Sequence, residues 1–517
     1  MIKLADIFQS GMTLQRQKPI RFWGESDSAE EIKIKIDGHL IACEDIPKGS
    51  FEFFLPAQEA AENVKLEIGS VVLERVDIGE VWIAGGQSNM EFFLRYDVEG
   101  DAVIANADDD HVRYYDVAKY AFEGEREEGF KDDSKWDKWL TLQPAHASEF
   151  SAVGTYFAME LRKELRVPVA IVGCNWGGTS ASAWIEEEYL AADQELSSYL
   201  TDYEAQETKL DLEQYYRINK IIRQGKEMPE SKKIMDYLMR NSINSMEMIQ
   251  ELVSASGQTT SSPEQDKLYA ENYAAVGPNS ENRPSGLYKM MLSRISGYTS
   301  KGVIWYQGEN DAAKAGLYTK LFSKMIECWR RDWKDDLPFL FVQLPPFGQW
   351  MNSTGDQFII VREQQEAVSK TVKDSYMISI SDVGDEYDIH PKRKKPVGHR
   401  LALCARNKVY GEDILSDAPE AKSIKKKGRV VIVSFLHGEG LHMEGNSLNA
   451  IRISVDDTEV NNIGLRIEGD QLIITSEQFE QAKQVTVEFA KTGYYQVNLY
   501  NKADIPAKPF LMQWKEQ

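Results

Sequence analysis

Val81-Trp-Ile-Ala-Gly-Gly-Gln-Ser-Asn-Met90 is the stretch whose reading decides the fold. A short apolar run of strand length ends in two glycines, and a polar serine opens the next segment. Four more runs share that texture: Val167–Val172, Gly302–Tyr306, Phe339–Leu344 and Tyr376–Ile380. Between them lie stretches with helical spacing, such as Phe157, Leu161 and Leu165, or Leu317, Leu321 and Met325, or Val397 and Leu401. Strands alternating with helices imply a parallel, doubly wound α/β sheet. Four of the five runs empty into polar or glycine-rich segments: Gly85–Met90, Asn175–Thr179, Gln307–Asp311 and Ser381–His390. Open α/β sheets bind ligands beyond the carboxyl ends of their strands, so these loops are expected to meet over one crevice.

The flanks read differently. Residues 1–75 alternate apolar and polar, as in Glu31-Ile-Lys-Ile-Lys-Ile36 before Asp37-Gly38, and imply an N-terminal all-β unit. The α/β pattern occupies 76–412, and period-two alternation returns over 413–517, as in Val430–Phe435 and Val485–Phe489, for a C-terminal β unit. Residues 187–285 interrupt the α/β texture with Glu, Lys, Gln, Ser and Met and a loop signal at Ser256–Pro263. They read as a helical insertion, either a lid or a contact for a homo-oligomer.

Composition narrows the function classes. At 517 residues the chain is long enough for two to four domains. A net charge of −22 disfavours nucleic acid and anionic membranes as partners. The basic runs Lys392–Lys395 and Lys425–Lys427 read as solvated loop charge. Cys43, Cys174, Cys328 and Cys404 form no C-x-x-C pair, so neither a zinc ribbon nor a disulfide framework is implied. The last three lie in apolar stretches and read as buried thiols. No run reaches the ~18 apolar residues of a membrane span. Met1–Gln9 holds no signal-peptide core, so the expected location is cytoplasmic unless a leader has been removed.

The loops carry the chemistry. A serine on a glycine turn between strand and helix has its hydroxyl lifted from the sheet and its amide aimed at the same space, which suits Ser88 as a nucleophile. Gly86-Gln-Ser-Asn-Met90 lacks the second glycine of G-x-S-x-G, so this is not the α/β-hydrolase elbow. Taken alone, such a serine is more often a turn or a helix cap. Gly177 and Gly178 let a backbone approach a carbonyl closely, although a tight turn explains them equally well. The Gln307 amide is a competent oxyanion donor, Glu309 could orient a histidine, and Asn310 or Asp311 could merely cap a helix. Of seven histidines, His390 alone follows a core-type strand in an acid-rich loop, Asp382–Pro391, as a general base requires. His399 reads as structural.

Taken together these segments resemble the sialate O-acetylesterases, a branch of the SGNH (GDSL-type) hydrolases. The resemblance runs through Gly79–Met90, Val167–Val169, Trp176–Thr179 with Ala183-Trp184, Arg283–Tyr288, Gly302–Ala312 and Gln343–Phe347. It continues through Ile389-His-Pro391, Val397-Gly398 and Arg400-Leu-Ala402. The flanks fit too, with Leu4 to Arg16 at one end and Asn498 to Phe510 at the other. The resemblance implies an SGNH-type fold and a serine esterase that removes O-acetyl groups from sugars through an acetyl-serine intermediate. It also implies Ser88 as nucleophile, His390 as base, and an oxyanion hole of the Ser88 amide, Gly177 or Gly178, and Gln307. Many such enzymes carry the orienting aspartate three residues before the histidine, where this chain has Tyr387. Glu309 is then the first candidate acid, Asp388 the second and Asp385 the third, with a Ser–His dyad as the alternative. No metal or organic cofactor is expected. The sugar is open between sialic acid and plant-type xylo- or manno-oligosaccharides. An inactive glycan-binding protein and a lipid or thioester hydrolase are the rival classes.

Overall fold

The computed structural model describes residues 1–129, 131, 136–241, 267, 276–351 and 353–516. The chain folds as mixed α/β. All five apolar runs lie in strands of one sheet, ordered Trp139–Leu142, Asp109–Asp116, Val169–Asn175, Val71–Gly86, Gly302–Tyr306, Phe339–Val342, Ser375–Ile378. Neighbours from Asp109–Asp116 onward run parallel, and the Trp139–Leu142 edge is antiparallel.

Val169–Asn175, Gly302–Tyr306 and Phe339–Val342 are buried at every residue, so both faces of the sheet need cover. Trp82 stands against Phe157 of the helix Ala152–Leu165, ring centroids 5.1 Å apart. Trp82 pairs with Gly302, so Trp305, three residues on, points to the other face. There it meets Phe322 and Trp329 of the helix Tyr318–Trp333, each at 5.7 Å. The helix Lys395–Lys408 packs on Ala152–Leu165, and Phe358–Thr371 packs beside Tyr318–Trp333. A Cβ on Gly398 would lie 2.5 Å from Tyr156 Cβ, so the first pair of helices can approach this closely only at a glycine.

One strand of the parallel set is absent from the apolar runs. Asp109-Asp-His-Val-Arg-Tyr-Tyr-Asp116 is rich in charge, yet Arg113 is only 2 % exposed. It is accommodated because Asp77 pairs with it at 2.8 Å and the carbonyls of Gly11, Met12 and Arg75 accept its N–H groups.

The boundary expected at 75/76 falls inside a single strand of 16 residues, Val71–Gly86. Its first half pairs antiparallel with Ala61–Ile68, alternating in burial, and its second half is continuously buried in the parallel sheet. One hydrophobic core accordingly runs from Ile2 to Ala405. The C-terminal part has a core of its own between two four-stranded sheets, with Phe435 of one against Phe510 of the other at 5.6 Å. It is fastened to the α/β part by Arg400, which donates to the Asp504 carbonyl at 3.1 Å, and by Phe347 N–H to the Gly493 carbonyl at 3.0 Å. The insertion is helical where it is described: Glu187–Ala191, Ser197–Glu207, Leu212–Glu227 and Pro229–Asn241. The loop signal Ser256–Pro263 lies outside the described residues. Among the described residues no helix is long and apolar enough to cross a membrane. Cys174, Cys328 and Cys404 are buried free thiols, and Cys43 is exposed.

Candidate active site

The turn after Val71–Gly86 is made by Gly86, whose φ is +133°. A Cβ there would stand 2.2 Å from the Tyr306 carbonyl oxygen on the neighbouring strand, so no other residue fits. Gln87 then leads into the short helix Ser88–Glu91. As its first residue, Ser88 has an N–H without an intrahelical acceptor. Ser88 is half-buried between two buried neighbours, Gln87 and Asn89.

Ser88 Oγ lies 2.9 Å from His390 Nε2, although 302 positions separate the two in the chain. The His390 ring is largely buried and stands edge-on to Trp350, centroids 5.5 Å apart. Burial pushes the imidazole well below its usual value; Asp388 opposes this, while Lys394 and Lys392 add to it. The ring is therefore neutral at pH 7, the form that accepts a proton from a hydroxyl.

The acids sort themselves by distance. Asp388 Oδ1 is 3.8 Å from His390 Nδ1 and accepts the His390 backbone N–H at 2.8 Å, while Lys392 Nζ stands 3.1 Å from Oδ2. Glu309, expected first, is not at the histidine. Its Oε1 accepts from Asn89 Nδ2 at 2.6 Å, beneath the Ser88 turn. The reason is topological: the strand before Gln307 neighbours the strand before Ser88, so the Gln307 loop meets the helix Ser88–Glu91 at Asn89. Asn89 also donates to the Ile389 carbonyl at 3.0 Å and accepts from the buried Lys394 ammonium. Burial raises the Glu309 carboxyl, and burial lowers Lys394 to about 7. Asp385 accepts the backbone N–H groups of Tyr387 and Asp388, shaping the loop from a distance.

The expected oxyanion donors also divide. A Cβ on Gly177 would lie 3.2 Å from Ser88 Cβ, so this loop does abut the serine. Its N–H, however, is committed to Glu91 Oε2 at 2.6 Å. Gly178, with φ +73°, has open space at its Cβ position. Gln307 is fully buried, and its amide donates to the Thr179 carbonyl at 3.1 Å and to Asp311 Oδ2 at 2.5 Å. Both N–H groups are thereby used, and Gln307 is a pillar rather than a free donor. Asp311 is the hub it rests on, accepting also from Ser180 Oγ at 2.6 Å and Ala181 N at 2.9 Å.

Gln307→Ala should accordingly act on stability first. Stranding the Thr179 carbonyl and leaving Asp311 Oδ2 with the Ala181 N–H alone is expected to lower unfolding free energy by about 1–3 kcal/mol, with kcat changed less than about tenfold. Denaturant melts and active-site-titrated kinetics check this. An unchanged melt with kcat down by orders of magnitude would restore the amide as an oxyanion donor.

Sequence reasoning missed Asn89, Glu91, Lys392, Lys394 and Trp350. The run Lys392–Lys395, expected as solvated charge, turns half inward: Lys394 is fully buried and Lys392 largely so. Nothing in the basic run itself distinguishes Lys394 from Lys395; only packing does. Asn89 and Glu91 lie within three residues of Ser88 and were open to suspicion on that ground alone. Among the described residues no group of three or more His, Cys, Asp or Glu side chains has the geometry to hold a metal.

The chain is similar to several known proteins. Residues 272–405 match the family model described as carbohydrate esterase, sialic acid-specific acetylesterase. The sialate O-acetylesterase of Mus musculus is 27% identical over 401 residues, covering 73% of this chain and 64% of its own length. That of Homo sapiens is 24% identical over 391 residues, covering 72% and 60%. The chain thus spans somewhat less than two thirds of these two relatives. The crystal structure of a carbohydrate acetylesterase from Xanthomonas citri superposes with a TM-score of 0.71 at 27% identity, covering 100% of both chains. Fold and matches are similar to those of the carbohydrate-esterase class. Within it, the chain is similar to the sialate O-acetylesterases.

Proposed function

We propose that this chain is a serine esterase of SGNH type that removes O-acetyl groups from carbohydrates. The observation that carries the reading is the 2.9 Å approach of Ser88 Oγ to a neutral, buried imidazole at the carboxyl ends of the parallel strands. His390 takes the Ser88 proton as Ser88 attacks the acetyl carbonyl. The oxyanion is received by the Ser88 N–H, with Gly178 as the loop donor because the Gly177 N–H serves Glu91. The sugar hydroxyl leaves with the proton from His390, and an acetyl-serine remains. Water, deprotonated by His390, then releases acetate. Asp388 holds the imidazolium that forms in both steps, closing from 3.8 Å as charge develops.

A sugar as leaving group is supported by the relatives, which are named for sialate and carbohydrate O-acetyl esters. It is supported also by the two half-buried tryptophans at the pair: Trp350 against His390, and Trp176 next to Gly177. Indole rings offer apolar faces with a polar edge, as sugar rings require. The test is acetate release from a panel of O-acetylated sialic acids, xylo-oligosaccharides and manno-oligosaccharides, beside 4-nitrophenyl esters of increasing chain length. Acetate from at least one sugar class, with acetyl preferred over longer acyl chains, is expected. Rates that rise with acyl length and no sugar turnover would point to a lipid or thioester substrate instead.

A further inference from the structure

The insertion helix Pro229–Asn241 has no buried residue, yet it lies against the loop that carries His390. Polar contacts among the described residues hold it there, including Arg240 to Asp101 at 3.8 Å. Asp236 Oδ1 accepts from Arg95 Nε at 2.7 Å, and the Met239 carbonyl accepts from Lys392 Nζ. Met239 lies in the last described turn of this helix.

The ammonium that donates to the Met239 carbonyl is the one that stands 3.1 Å from Asp388 Oδ2. The other oxygen of Asp388 holds the His390 N–H at 2.8 Å and faces His390 Nδ1. Lys392 is therefore shared between the acid of the site and the end of the insertion helix. The ammonium also stands over the Phe92 ring, 5.4 Å from the centroid. Lys394 is the other cation near His390, but its ammonium donates to Asn89. Lys392 is the cation placed 3.1 Å from Asp388 Oδ2.

We propose that Lys392 is a positioning residue for Asp388, and that the docked end of Pro229–Asn241 holds Lys392 in that role, which makes the insertion a working part of the site. With Oδ2 engaged from the insertion side, the carboxylate cannot rotate, and Oδ1 stays turned toward the imidazole. This inference rests on the esterase reading of Ser88 and His390.

The groups facing His390 are Asp388, Lys392 and Lys394, together with the uncharged Ser88 and Trp350. Lys392 depresses the His390 value, so removing its charge raises that value. The acid limb of kcat/KM then moves to higher pH, an effect that loss of packing alone does not give.

The experiment measures kcat, KM and pH profiles on the full chain with 4-nitrophenyl acetate. Lys392→Met should lower kcat roughly ten- to hundredfold with KM within about twofold, the cost of a misplaced catalytic group. Its acid limb should shift upward, and Lys392→Arg should recover most of the loss. Asp236→Ala, which loosens the helix without touching Lys392, should lower kcat in the same direction by about three- to tenfold. A Lys392→Met enzyme with normal kcat, or with lost kcat and an unmoved acid limb, overturns the positioning role. A silent Asp236→Ala overturns the part played by the insertion. Wild-type turnover and fluorophosphonate labelling at Ser88 are measured alongside. If the wild type neither turns over nor labels, the esterase reading itself has failed, and that outcome is distinct from the other two.

Discussion

Ser88→Ala is expected to abolish ester hydrolysis, a loss of roughly five to six orders of magnitude in kcat, as when the nucleophile of a serine hydrolase is removed. The fold should hardly notice. Ser88 is half-buried, and among the described residues its hydroxyl bonds only to the His390 ring. The turn is held instead by Gly86 beneath the Tyr306 carbonyl and by the Gln87 N–H to the same carbonyl at 3.1 Å. Unfolding free energy should therefore change by no more than about 0.5 kcal/mol. A fluorophosphonate should label the wild-type chain at Ser88 and leave the variant unmodified. Label on another serine, or hydrolysis surviving in the variant after purification to constant specific activity, would remove Ser88 from the mechanism.

Asp388→Asn should cost about four orders of magnitude in kcat, the loss seen when the acid of a Ser-His-Asp set becomes an amide. An asparagine at 3.8 Å can present an N–H to Nδ1, favouring the tautomer that puts the proton on Nε2, where the Ser88 proton must arrive. Glu309→Gln serves as the contrast. Its carbonyl oxygen still accepts from Asn89, and the glutamate it replaces is already shifted by burial toward its neutral form. The expected effect is a change of less than about threefold. Asp385→Asn should be similarly mild, since an amide oxygen still accepts the two loop N–H groups. If instead Glu309→Gln loses the orders of magnitude and Asp388→Asn keeps near-normal kcat, the acid lies in the Gln307 loop and the arrangement in this structure is not the reactive one.

Much of this architecture was legible along the chain. The five apolar runs are strands because parallel strands buried on both faces need uninterrupted apolar side chains, and that pattern is local. The Ser88 turn was legible for the same kind of reason: a strand, two glycines and a helix-opening polar residue are consecutive. His390 stood out because it was the one histidine following a core strand in an acidic loop. By contrast, Asp109–Asp116 was invisible, since its buried arginine is tolerated only through Asp77 and three carbonyls from elsewhere in the chain. The continuity of Val71–Gly86 through the expected boundary was hidden too, because alternation and full burial look like two elements when they are halves of one.

The sequence by itself determined which loops carry chemistry and that they meet, because strand polarity sends every carboxyl end to the same edge of the sheet. Only the tertiary structure decided what each side chain in those loops does. Hydrogen-bond capacity is finite, and neighbours distant in sequence claim it. Thr179 and Asp311 take both N–H groups of Gln307, Asn89 takes Glu309, Glu91 takes the Gly177 N–H, and Asp388 is left as the acid nearest His390.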